Sequence, residues 1–132
     1  MRTILIAAAL LLAWPALVRA DTTVAPSMVL PQASLAVETG HVVQASPGTL
    51  KGASITTGET AGYFMLFNSI TVPSNGAITP IKCVVVAAND SRGISPDPDT
   101  QWRFSVGVTL AFSTTGCFTM TQSATAYFSW QQ

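Results

Sequence analysis

His41 is the only histidine in the 132-residue chain, so any imidazole acid–base chemistry must pass through it. A serine hydrolase needs such a base beside its nucleophile. The chain contains no G-x-S-x-G elbow to present one. His41 follows Gly40 in a turn-like stretch, the usual setting of a loop histidine. No catalytic residue is assigned on this reading. Asp97 and Asp99, with Asn89 and Asp90 nearby, offer the oxygen ligands that calcium takes. Their spacing is not that of an EF-hand, and Pro96 and Pro98 stiffen the segment. A solvated acidic loop is therefore expected in preference to a calcium site, with no metal and no cofactor. Paired carboxylates that cut glycosides must face each other across a cleft. Nothing in the spacing sets Glu38 or Glu59 opposite the aspartates, and a chain this small has little room for a deep cleft. The expectation is that the protein is not an enzyme.

Trp102, Trp130, Tyr63 and Tyr127 could form a stacking platform for sugars. The apolar neighbours of Tyr63 and Trp102 assign those two to the core. Trp130 lies two residues from the end of the chain and is expected to be exposed. An exposed tryptophan is a strong anchor for a partner. Trp130, Asp97 and Asp99 are thus the candidate ligand or partner contacts.

The N-terminus has the parts of an export signal. Arg2 supplies the positive region, Ile4 to Ala13 is an uninterrupted apolar run, and Val18-Arg19-Ala20 offers a cleavage site. The run is short for a membrane span, which needs about 20 residues, and Pro15 interrupts its end. Cleavage after Ala20 is expected, with no stable membrane span afterwards. The mature chain would then run from Asp21 to Gln132, as one domain. Lys51, Lys82, Arg92 and Arg103 stand in it against Asp21, Glu38, Glu59, Asp90, Asp97 and Asp99, four against six, for a net charge of −2. No basic patch exists to hold a phosphate backbone, which argues against nucleic acid. Cys83 and Cys117 are the only cysteines. An even count in an oxidising compartment predicts a disulfide between them. A two-cysteine zinc site fits poorly, because His41 alone would have to complete it and the spacing matches no zinc template.

Few charges and many Ser, Thr, Ala and Val residues point away from helices, which normally carry a charged solvent face. Thr suits a pleated, half-buried surface. Turn signals stand at Ser46-Pro47-Gly48, Asn75-Gly76 and Thr114-Thr115-Gly116. Leu35-Ala36-Val37 and Val42-Val43 read as a strand pair or a bulged strand, and Tyr63 to Phe67 as a strand buried on both faces. Ile81 to Ala88 is another strand, Asn89 to Thr100 a loop, and Ala124 to Trp130 a closing strand. The clearest is Trp102 to Ser113. Trp102, Phe104, Val106, Val108, Leu110 and Phe112 share one face at period two, which describes a half-buried antiparallel strand. Its length calls for a bend, and Gly107 is the natural place. The expected fold is all-β, a β-sandwich or Greek-key/jelly-roll-like barrel of about seven or eight short antiparallel strands. Residues 1–20 are the signal peptide, 21–34 an extended arm, and 35–132 the β domain.

Several segments resemble a small β-rich module of tailed-phage and prophage virion proteins. They are Ser46-Pro47-Gly48-Thr49-Leu50, residues 61–68 (AGYFMLFN), residues 73–83 (PSNGAITPIKC) and residues 112–119 (FSTTGCFT). The resemblance spans most of the mature chain and carries no catalytic signature. It implies a structural role, as a decoration, fibre or tail-associated module that binds other protein subunits, in a homo-oligomer or a virion or surface assembly. An exported relative displayed at the cell surface reconciles the leader with that resemblance. The alternative is an exported carbohydrate- or ligand-binding β domain acting through exposed aromatics and the 89–100 loop.

Overall fold

The computed structural model describes residues 31–97 and 100–132, and the expected signal peptide lies outside them. The described chain is all-β, with turns and bends but no helix, and so has no helix long and apolar enough to cross a membrane. The strands are β1 (Gln32–Ala33), β2 (Gly40–Gln44), β3 (Gly48–Leu50), β4 (Gly52–Thr57), β5 (Gly62–Phe67) and β6 (Gly76–Ala77). They continue with β7 (Lys82–Val86), β8 (Ser91–Ile94), β9 (Trp102–Phe104), β10 (Val108–Ser113), β11 (Thr119–Met120) and β12 (Ala126–Gln131). Twelve short strands thus replace the seven or eight expected.

One four-stranded sheet has the order β1-β12-β4-β8, and the other β2-β10-β5-β7. Two ribbons, β11-β6 and β3-β9, complete the set. Every pairing is antiparallel. The turns arise where glycine, proline and asparagine allow them. Gln44 holds the Pro47 turn, its side-chain amide donating to the Pro47 carbonyl at 2.9 Å. Gly76 sits at φ 127°, a conformation that side chains disfavour.

Both four-stranded sheets contribute to one core. Ile55, Ala126 and Phe128 come from the first, and Phe64, Leu66, Leu110 and Phe112 from the second. The rings of Phe64 and Phe128 meet across it at 6.1 Å. Each such side chain removed from water stabilises the fold by about 1.5–3 kcal/mol.

A second apolar cluster lies on the opposite face of β5 and β10. Met65, Phe67 and Ala111 form it with Met120, which the β6–β11 ribbon brings over the sheet. This explains why β5 is buried along Phe64–Phe67, as its unbroken apolar run predicts. It also corrects the reading of β10 as half-buried, since all six of its residues are buried. Thr109 and Ser113 tolerate that position because each hydroxyl finds a carbonyl. Thr109 Oγ1 donates to Ser69 O at 2.7 Å and Ser113 Oγ to Thr119 O at 2.7 Å.

The expected long strand from Trp102 to Ser113 divides at residues 105–107. Its first part pairs with β3 and its second with β2 and β5. Gly107 is the hinge: an added Cβ there would lie 2.7 Å from the Gln44 carbonyl and 2.9 Å from that of Ser69. Val106, expected on the apolar face, is 47% exposed in the bend.

Three further expectations change. Gln32 and Ala33, placed in the N-terminal arm, pair with β12. Leu35 to Val37 form no strand, and Leu35 projects fully into solvent. The loop expected over 89–100 contains β8, whose small, polar Ser91-Arg92-Gly93 segment gains its order from pairing with β4.

Candidate functional site

Strand β7 ends its sheet and pairs with β5 alone. The pleat sends alternate side chains to opposite faces. Val86 enters the core, with Val84 packed against it. Cys83 points the other way, into the cluster with Met65, its cross-strand neighbour. Ile81 and Val85, two residues to either side of Cys83, are 55% and 66% exposed.

Cys83 bonds to Cys117 with the Cα atoms 5.8 Å apart, and no described cysteine is free. The predicted disulfide is therefore present. It fastens the connection between β10 and β11 to the edge strand. The next residue, Phe118, is 69% exposed, while its carbonyl accepts a hydrogen bond from Ile78 N at 3.1 Å. Ile81, Val85 and Phe118 thus project into solvent around one crosslink. An isolated exposed apolar residue is ordinary, whereas a group of them marks a contact surface. The reading of the residues alone did not select these three. The available signal was the alternation Ile81-Cys83-Val85, but nothing local says that Cys83 has its back to the main core.

The candidate residues taken from the sequence fall elsewhere. Trp130 is 7% exposed and belongs to the core, which corrects its expected exposure at the chain end. Its indole Nε1–H donates to Gln32 Oε1 at 2.8 Å. The His41 ring stacks on it at 4.3 Å between centroids, with 26° between planes. His41 Nδ1 in turn lies 2.9 Å from Glu38 Oε1. Glu38, His41, Trp130 and Gln32 therefore form one packed unit joining β2 to β12 and β1. Trp102 is half-buried against the core, as expected.

Asp97 is exposed and lines a shallow groove with Lys51, Ser95, Thr100, Gln101 and Gln131. Asp99 lies outside the described residues. Asp90 is engaged locally, accepting from Ser91 N at 2.8 Å and lying 3.2 Å from Arg92 Nε. Among the described residues no group of three or more His, Cys, Asp or Glu side chains gathers as a metal site would require.

Comparison of the chain with protein-family models, with characterised proteins and with solved structures finds no match.

Proposed function

We propose that this protein is a non-catalytic structural or interaction module that binds other protein subunits, in a virion-like or cell-surface assembly. The observation that carries this reading is three exposed apolar side chains about the sheet-ending strand β7: Val85 on it, Ile81 just before it, and Phe118 next to the cysteine bonded to it. Sheet ends and apolar patches are where β proteins recruit partners. The resemblance of residues 46–50, 61–68, 73–83 and 112–119 to tailed-phage virion modules supports the same role. The disulfide supports export, since such bonds persist in oxidising compartments. The two four-stranded sheets around one core are read as the layers of a β-sandwich.

A photoreactive phenylalanine analogue at position 118, in protein expressed in its own host, tests this function. Protein adducts at that position are the expected result. Irradiation that yields no protein adduct overturns the reading.

A second reading, an exported carbohydrate- or ligand-binding domain, rests on the groove beside Asp97. Its carboxylate, amide and hydroxyl groups match what hydrogen-bonds a sugar. Glycan-array binding that disappears in Asp97→Ala is its expected sign. Trp130 takes no part in it, because its ring is covered.

A further inference from the structure

We propose that the groove beside Asp97 is the middle of a longer trough, and that this trough binds a linear polysaccharide bearing carboxylates. This rests on the ligand-binding reading above and names its ligand.

Three concavities meet at Ser95, which lines all of them. The first lies at the end of the β4–β12 pair, where Gly52 opposes Gln131, and Ser54 and Ser129 line it. The second is the groove of Lys51, Asp97 and Thr100, with a volume of about 930 Å³. The third reaches the start of β7 and of β9, at Ile81, Lys82 and Trp102. The middle section alone is at the upper end of ligand pockets, which run to about 1,000 Å³. It continues into its neighbours at both sides, so an extended chain suits the shape better than a compact ligand. Strand ends hold the lining in place: Lys51 N donates to Gln131 O at 2.9 Å, at the junction of the first two sections.

Charge then selects the class of chain. Of the four cations expected in the mature protein, Lys51 and Lys82 stand along the trough, while Arg92 is engaged with Asp90. Among the described residues Lys51, Lys82 and Asp97 form no ion pair. Lys51 Nζ donates to Gln132 O at 2.9 Å. An ammonium group has three N–H donors, so two remain. Asp97 is held through its backbone: its carbonyl accepts from Thr100 N at 2.9 Å and from Thr100 Oγ1 at 3.0 Å. That turn leaves the carboxylate itself uncommitted among the described residues. Lysine can only donate and an ionised carboxylate can only accept. A ligand that satisfies both must carry anionic acceptors and free hydroxyl donors together. A polymer of uronic acids has both on each sugar. A densely sulfated polymer serves the lysines but brings its charge against Asp97 with few hydroxyls to offer. A neutral glycan serves Asp97 and leaves the ammonium groups without charge-assisted partners. Trp102, half-buried at the far end, supplies apolar surface for a sugar ring.

Affinity electrophoresis of the oxidised protein tests this, in gels holding polygalacturonate, neutral dextran or dextran sulfate. The expected result is retardation by polygalacturonate above that by the other two, weakening as salt is added. Lys51→Gln and Lys82→Gln should each lower the affinity by about threefold or more. Arg92→Gln, the same charge change outside the trough, leaves it unchanged. Asp97→Asn should narrow the preference for polygalacturonate over dextran sulfate. Equal losses in Arg92→Gln overturn the inference, since net charge and not the trough would then govern. Equal retardation by dextran sulfate overturns it for the same reason. Equal retardation by dextran removes the carboxylate while the carbohydrate reading stands. No retardation by any of the three, together with an empty glycan array, removes both.

Discussion

His41 and Trp130 stack at 4.3 Å between ring centroids, an edge strand of one four-stranded sheet thereby touching an inner strand of the other. The pair couples two segments far apart in the chain. Its ends are fixed by Glu38 on the imidazole and Gln32 on the indole. His41→Ala removes the stack and the hydrogen bond to Glu38 together. An aromatic pair contributes about 0.5–1.5 kcal/mol beyond its burial, so chemical denaturation should show a loss of about 1–2 kcal/mol. Tryptophan fluorescence should change in the folded state, since the ring's neighbour is gone. An unchanged midpoint and spectrum would mean that the stack contributes nothing.

The Cys83–Cys117 bond closes 34 residues of sequence separation. A loop of that size stabilises by roughly 3–4 kcal/mol through the unfolded chain. Denaturation with and without reductant should differ by about this amount, and Cys83→Ser/Cys117→Ser should match the reduced protein. Mass spectrometry of native protein should find no alkylatable thiol. Two labelled thiols in unreduced protein would contradict the assignment.

Gly107 stands where the chain turns from β9 into β10. The Cβ of alanine would sit 2.7 Å from the Gln44 carbonyl, and backbone cannot move aside cheaply. Gly107→Ala should therefore destabilise by about 1–3 kcal/mol, the usual range for overpacking. Gly116, where an added Cβ meets nothing within 4 Å, serves as the control. Its alanine variant should unfold close to the unmodified midpoint. Equal losses at both positions would show that general loop stiffness, not the close approach, governs.

What could be read from the residues alone follows from how local each signal is. The alternation Val108, Leu110, Phe112 and the run Phe64 to Phe67 are local, and both appear as strands. Burial of the second face of β10 is not local. Ala111, Thr109 and Ser113 resemble a solvent face until the β6–β11 ribbon lays Met120 beside them. Trp130 misleads for the same reason. Its position near the chain end suggests freedom, while Gln32 and His41, far earlier in the chain, pack against it. The patch at Ile81, Val85 and Phe118 depends on which side of β7 faces the main core, and only tertiary packing decides that.

Ser113 links the buried strand to the surface group. Its hydroxyl donates to Thr119 O at 2.7 Å and accepts from Thr121 N at 3.0 Å and Thr115 N at 3.2 Å. One oxygen thus holds both ends of the segment that carries Cys117 and Phe118. Ser113→Ala removes three hydrogen bonds from a fully buried residue to the exposed residues Thr115, Thr119 and Thr121. Each such bond contributes about 0.5–1.5 kcal/mol. The disulfide restrains the same segment, so the two restraints should couple. In oxidised protein the crosslink still confines residues 114–121, and amide exchange there should accelerate modestly. After reduction the Ser113→Ala segment should open far more readily, and Ile78 N, bonded to Phe118 O, should lose protection with it. Purely additive effects of reduction and substitution would show that the hydroxyl and the crosslink act on separate parts of the structure. Residues that share a restraint instead show an interaction energy of about 0.5–3 kcal/mol in a double-mutant cycle.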